Sequence, residues 1–311
     1  MPDGRRAKKM RNVEEYLRPD VIQEVARLDL KAKFIVEGFI SGLHDSPYHG
    51  FSSEFSEHRE YAAGDEPRLI DWKVFARTDK YYIKRFEAET NLDCHILLDA
   101  SESMAYSHGG VITKLEYGIY MAAALGYIMT HQQDNVGLVT FDEEVTNVVP
   151  ARSKRSHLVA ILGVLAGALR HRPSRLADCL HRAAELLRKR GVVILFSDLI
   201  PAEGEDQDQV LDGLRHVRYR GHDLICFQLL DHAELTFPFE GPAQFVDVES
   251  LQAIRADPEA VAEAYRQEVR QFVERYRDAC RSDRIDFVAV DTADSFDHVL
   301  LSFLRARQRK F

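Results

Sequence analysis

Two rhythms of apolar and polar positions run along this chain. From residue 92 onward, short unbroken apolar runs alternate with longer stretches at helical spacing. Leu92 to Leu98 (LDCHILL), Val136 to Phe141, Val192 to Phe196 (VVILF), Leu224 to Leu230 and Ile285 to Val290 predict buried strands. Val145 to Val149 is expected to pair back on Val136 to Phe141 across the acidic turn Asp142-Glu143-Glu144. Between the strands, helices are predicted over 114–131, 155–170, 176–190, 208–220 and 257–282, with a last one from Phe296. Apolar strands separated by helices imply a mostly parallel sheet covered on both faces, a doubly wound α/β domain.

Before residue 92 the texture differs. Val21, Val25, Leu28, Ile35, Phe39 and Leu43 follow Pro19 near helical spacing and predict a long amphipathic helix over 19–43. From His44 to Glu89 short aromatic and charged runs are broken by Gly50, Gly64 and Pro67. Tyr81, Tyr82, Ile83 and Phe86 there suggest a strand within a hairpin. Gly64-Asp65 suits a tight turn. Asp71 has Arg68 and Arg77 near it in sequence, and Trp72, the single tryptophan, is expected to pack the hairpin onto the domain. The expected organisation is a basic, flexible N-terminus over 1–18, a helix and hairpin subdomain over 19–90, and the α/β domain over 91–311.

Composition narrows the function classes. The 311 residues are 45% apolar and 29% charged, as in ordinary globular proteins, with a formal net charge of −9. That balance argues against a general nucleic-acid binder, whose affinity rests on cationic phosphate contacts. The ends are nevertheless basic, with Arg5, Arg6, Lys8, Lys9 and Arg11 at one and Arg305, Arg307, Arg309 and Lys310 at the other. The body between is therefore more acidic than the total, and Glu203 to Asp212 is its densest stretch, a solvated loop or a docking surface for a basic partner. No apolar run approaches the roughly 20 residues that span a bilayer, and none follows the basic N-terminus as a signal peptide would require. Cys94, Cys179, Cys226 and Cys280 lie far apart, without metal-site spacing, and Cys94 and Cys226 sit in apolar runs as small core residues. A cytoplasmic protein is expected.

The chemistry gathers where strands end. The first core strand runs into Asp99-Ala100-Ser101-Glu102-Ser103, and Phe196-Ser197-Asp198 closes a later one. In open parallel sheets, ligands bind beyond the carboxyl ends of the strands. Pro173-Ser174-Arg175 opens a helix and offers another hydroxyl. Carboxylate and hydroxyl oxygens suit a hard cation such as Mg²⁺. Asp99 and the serines are also residues that satisfy backbone groups at a helix start, so capping is the alternative.

This D-x-S-x-S loop, with its later hydroxyl and Asp, resembles the metal-ion-dependent adhesion site (MIDAS) of von Willebrand factor A domains. The resemblance implies that Asp99, Ser101, Ser103, Ser174 and Asp198 surround one divalent ion, Mg²⁺ or Mn²⁺, whose last position takes a partner's carboxylate. That family has Thr followed by Asp at the third element, whereas here Ser174 is followed by Arg175, which adds positive charge near the ion. Upstream stand His49-Gly50-Phe51-Ser52-Ser53-Glu54-Phe55 and His58-Arg59-Glu60-Tyr61, then Gly64-Asp65, Arg68-Leu69-Ile70-Asp71-Trp72, Ala76-Arg77 and Lys84-Arg85-Phe86. In this order they resemble the bacterial family called domain of unknown function 58, from about residue 19 to the late core. That resemblance implies a MoxR-type AAA+ ATPase as partner and a chaperone-like role in complex assembly.

Catalytic readings find less. There is no G-x-S-x-G elbow, and neither Ser101 nor Ser103 has an assignable His base. Gly109 to Lys114 only superficially suggests a phosphate loop. An aspartyl-phosphate mechanism wants a second Asp where Ser101 stands, and a metal-assisted hydrolase lacks a general base beyond the ligand set. His44, His49 and His58 match no compact zinc spacing. The expected function is a noncatalytic, metal-dependent interaction module, the alternatives being a metal-independent electrostatic scaffold or a metal-assisted hydrolase.

Overall fold

Three strands with buried, mainly apolar runs, Asp93–Asp99, Val192–Ser197 and Asp223–Leu230, form the centre of the domain. Such strands bury both faces only inside a parallel sheet. The computed structural model describes residues 54–60, 72–87, 93–109, 112–131, 133–168, 173–246, 253–296, 298–300 and 303. Residues Leu43–Leu92 belong to one compact unit and Asp93–Phe311 to another.

In the first unit, β1 (Glu54–Glu60) pairs antiparallel with β2 (Tyr82–Glu87). The expected strand at Tyr81 to Phe86 is present, but its partner is not joined by a tight turn: α1 (Trp72–Thr78) lies in the connection. Trp72 is 59% exposed, with its ring edge against Phe75. The helix over 19–43, the turn at Gly64-Asp65 and both basic ends lie outside the described residues, as do His44, His49, Arg68 and Asp71.

The second unit contains β3 (Asp93–Asp99), α2 (Lys114–His131), β4 (Asn135–Phe141), β5 (Val145–Arg152), α3 (Arg155–Ala166) and α4 (Leu176–Leu186). It continues with β6 (Val192–Ser197), α5 (Gln207–Tyr219), β7 (Asp223–Leu230), α6 (His232–Thr236), β8 (Ala243–Val246), β9 (Ala253–Ala256), α7 (Pro258–Ser282) and β10 (Asp286–Asp291). The main sheet has the order β10-β7-β6-β3-β4-β5, parallel throughout except for the antiparallel edge strand β5. This is the doubly wound α/β fold expected, with most boundaries within two residues; the helices predicted to end at 170 and 190 stop at 166 and 186. The β8–β9 pair and the short helix α6 were not foreseen.

Strand order decides where a ligand can sit. From β3 the chain moves outward through β4 to the β5 edge, then returns to lay β6, β7 and β10 on the other side. The order reverses between β3 and β6, which opens a crevice at their carboxyl ends. Helix α2 covers that region and is buried around most of its circumference, including Tyr117, Gly118, Met121 and the run Ala122-Ala123-Ala124. Its small residues allow close approach: a Cβ on Gly118 would lie 3.0 Å from Leu98 Cδ1 and 3.2 Å from Leu229 Cδ1. All four cysteines are free and buried in the core. Among the described residues, no helix is long and apolar enough to cross a membrane.

Gly191, just before β6, gives a test of this packing. A Cβ there would fall 1.9 Å from the carbonyl oxygen of Asp93, which is backbone and cannot swing away. Gly191→Ala is expected to destabilise the domain by roughly 2–3 kcal/mol, seen as a lower urea midpoint. An unchanged midpoint would contradict the β3–β6 packing described here.

Candidate metal centre at the strand ends

Asp99 ends β3 and is 1% exposed. Its Oδ1 accepts the Ser101 amide at 3.0 Å and its Oδ2 accepts the Ser197 hydroxyl at 2.7 Å. Ser197 ends β6, so this bond joins the two strands that flank the switch in order. The loop after Asp99 is anchored by the Ala100 amide, which donates to the Phe141 carbonyl at 2.7 Å. It then tightens into a 3₁₀ turn at Ser103–Ala105. Ser101 Oγ and Ser103 Oγ come to 3.1 Å from each other.

Asp198 follows β6 and is also 1% exposed. Its Oδ1 accepts the Ile200 amide at 3.1 Å, and Gln228 Nε2 donates to its carbonyl at 3.1 Å. Leu199, next in the chain, is held at φ 59°, a left-handed conformation that few non-glycine residues adopt. Its amide donates to Ser197 Oγ at 3.0 Å and its carbonyl accepts the buried Tyr276 hydroxyl at 2.9 Å. These bonds hold the bend that turns Asp198 back to the strand ends, in a place where local strain and function often coincide.

Ser174 is buried at the start of α4. Its loop is tied to the end of β4, because the Arg175 amide donates to the Asp142 carbonyl at 3.2 Å. The Arg175 side chain is exposed and pairs with Asp178 at 3.2 Å, so its charge is spent in solvent. Asp99, Ser101 and Ser103 thus form a hydrogen-bonded chain through Ser101, and Asp198 is near enough to act on Asp99 electrostatically.

Four further residues belong to this edge. Ser197 was passed over as the end of a strand. Lys114, the first residue of α2, is fully buried and donates to Asp198 Oδ2 at 2.9 Å and to Glu234 Oε1 at 2.7 Å. The signal for it was present: a lysine in the first turn of a helix opposes the helix dipole, so it needs another reason to be there. Glu234 belongs to a capping box with Asp231 at the start of α6, a D-x-x-E pattern readable from sequence. Asp142 lies in the expected turn after β4 and is fully buried there. Its Oδ1 accepts the Glu144 amide at 3.3 Å, while its Oδ2 has no hydrogen-bond partner among the described residues.

The electrostatics follow from burial. The Asp99 carboxyl is pushed up to about 7, first because burial penalises its charge and then because Asp198 repels it. Hydrogen bonds from Ser197 and Ser101 only partly offset this. Burial opposes the charge on Lys114, but Asp198 and Glu234 outweigh it and hold the ammonium above the ordinary lysine range. Burial also lifts the Glu234 carboxyl, against the pull of Lys114. With the ammonium 2.7 Å away, the carboxylate is the form this geometry supports.

The donor set suits a hard divalent cation. In an octahedron with metal–oxygen bonds of about 2.1 Å, neighbouring vertices lie about 3.0 Å apart, and the two serine hydroxyls are 3.1 Å apart. The nearby carboxylates exceed the one buried ammonium, which leaves negative charge for a cation to balance. Among the described residues no three His, Cys, Asp or Glu side chains converge as a ligand set. A cation here would rest on hydroxyls as much as on carboxylates.

A family model described as protein of unknown function DUF58 matches residues 57–277, and the chain belongs to that family. Uncharacterized proteins from Mycobacterium bovis and Mycobacterium tuberculosis are 25% identical to it over 236 residues, 75% of this chain and 72% of theirs. Among solved structures, an aerotolerance-related membrane protein from Bacteroides fragilis is similar at 16% identity and a TM-score of 0.45, covering 69% of this chain and 99% of that one. A conserved hypothetical protein, BatB, from Bacteroides thetaiotaomicron is similar at 15% identity and a TM-score of 0.46, covering 70% and 99%.

The raised Asp99 carboxyl predicts a pH dependence in chelator. Between its unfolded value of about 3.9 and its folded value of about 7, the folded protein keeps a proton that the unfolded chain has released. This contribution to stability is full below about pH 4 and fades as pH rises through about 7. In EDTA, Tm is expected to fall from pH 5 to pH 8, and Asp99→Asn is expected to flatten that slope. Equal slopes in the two proteins would contradict this assignment.

Proposed function

We propose that this DUF58-family chain is a noncatalytic, metal-dependent protein-interaction module. The observation that carries the proposal is the pairing of two buried carboxylates, Asp99 and Asp198, with two hydroxyls at octahedral spacing in the crevice between β3 and β6. Asp99, Ser101, Ser103, Ser174 and Asp198 would hold one Mg²⁺, or Mn²⁺ in its place. Both Asp99 oxygens already accept protein hydrogen bonds, which orients the carboxylate as a ligand or an outer-sphere acceptor. The likeness of this arrangement to the MIDAS of von Willebrand factor A domains belongs to the same proposal. A carboxylate from a partner protein completes the coordination, so the ion supplies charge and direction while the surrounding loops supply specificity.

The resemblance that suggested the family also supplies the partner class, a MoxR-type AAA+ ATPase or its client, in chaperone-like complex assembly. A metal-independent scaffold acting through the acidic body would behave differently: its association would be salt-sensitive and indifferent to chelator.

Two measurements test the proposal. The full chain is expected to bind one Mg²⁺ or Mn²⁺ in calorimetry, and at 100-fold excess over Kd to gain about 2.7 kcal/mol of stability. Asp99→Ala is expected to abolish both effects while keeping its far-ultraviolet circular dichroism. In a pull-down from the native cell extract, an AAA+ ATPase is expected in Mg²⁺ and absent in EDTA. Capture by the Asp99→Ala protein equal to that by the parent would contradict the metal bridge.

A further inference from the structure

The metal proposal leaves the position of Lys114, at this edge, unexplained. The residue lies inside the first turn of α2, fully buried, where the helix dipole disfavours a cation. Thr113 and Glu116 already form the reciprocal cap of that helix: Glu116 Oε2 accepts the Thr113 amide at 2.9 Å and Thr113 Oγ1 accepts the Glu116 amide at 3.1 Å. Lys114 is therefore not needed for capping. Its ammonium reaches across the fold to Asp198 on one side and Glu234 on the other, at 2.9 Å and 2.7 Å. The Tyr106 ring, centred 5.9 Å away, adds a third electron-rich neighbour. The lysine of the superficial phosphate-loop pattern is thus committed to two carboxylates.

We propose that Lys114 is an internal cation that competes with the bound metal for Asp198 and sets the affinity of the site, with Glu234 as its counterweight. This role presupposes the cation site proposed above. Asp198 is the shared element. Its Oδ2 faces Lys114 and its Oδ1 faces the Ile200 amide. A divalent ion entering beside Asp99 draws on a carboxylate that an ammonium already neutralises in part. The fixed positive charge also repels the incoming ion directly, in a buried region where charges are weakly screened. Glu234 works in the opposite sense. By sharing the ammonium, it leaves Asp198 more of its charge for the metal.

The arrangement has a functional consequence. With Lys114 in place, the metal-free site keeps a positive charge between the buried Asp198 and the partly buried Glu234 carboxylates. The price is weaker metal binding, which an acidic group from a partner would restore. Cation binding and partner binding then strengthen each other by the same factor. The module would hold its ion firmly only when engaged.

Lys114→Met and Glu234→Gln separate this electrostatic role from a structural one. Glu234 is 18% exposed, and glutamine keeps an acceptor for the Asp231 amide that closes the α6 capping box. Mn²⁺ titrations of the full chain, followed by the loss of the free-ion electron paramagnetic resonance signal, report affinity without any assay of activity. Lys114→Met is expected to tighten Mn²⁺ binding about tenfold and Glu234→Gln to weaken it about threefold or more. A purely structural role would weaken binding in both variants, and that result, or unchanged affinity in both, would overturn the inference. If Lys114→Met does not fold, judged by circular dichroism, Glu234→Gln decides alone: unchanged or tighter binding overturns the proposal. Absence of Mn²⁺ binding by the parent protein would instead defeat the metal site itself.

Discussion

Two carboxylates are buried at the ends of adjacent parallel strands, and the chemistry of this molecule follows from that crowding. Asp99 and Asp198 cannot both be ionised in a low-dielectric crevice unless something positive lies near them. Part of the compensation is built into the chain, as the Lys114 ammonium and as amide and hydroxyl donors from Ser101, Ser197 and Ile200. The remainder is left to a proton on Asp99 or, in the proposed metal-bound form, to a cation from solution. If the proposed ion binds, the site trades a proton for a metal ion, and its occupancy responds to conditions.

The crowding is a consequence of topology. Because the chain lays β4 and β5 on one side of β3 and then returns to place β6 on the other, the loops after β3 and β6 diverge and leave the crevice open. The residues that hold the crevice in shape come from distant parts of the chain. Tyr276 of α7 fixes the carbonyl of Leu199, Gln228 of β7 fixes that of Asp198, and Phe141 of β4 fixes the amide of Ala100. Buried strands and a small-residue helix face allow these groups to approach within hydrogen-bond distance, so the packing of the core and the geometry of the site are one problem.

How much of this was legible in the sequence depended on the range of the interaction. The central strands were legible because LDCHILL and VVILF are short apolar runs with no helical period. The Asp99 loop was legible because its carboxylate and hydroxyls lie within five residues of each other. The partners of Lys114 were not, since they stand 84 and 120 residues away and only the folded sheet brings them together. Asp142 stands in the turn where it was expected, but its burial was not legible, since it depends on the distant Ser174 loop, whose Arg175 amide donates to the Asp142 carbonyl.

The most direct test of the central claim is the position of a bound ion. Crystals of the full chain grown or soaked with Mn²⁺ would give an anomalous difference map. One peak is expected at the carboxyl ends of β3 and β6, about 2 to 2.5 Å from the Ser101 and Ser103 hydroxyl oxygens, with Asp198 still in contact with Lys114. A map with no peak in that crevice at saturating Mn²⁺, or with its peak elsewhere on the molecule, would contradict the claim.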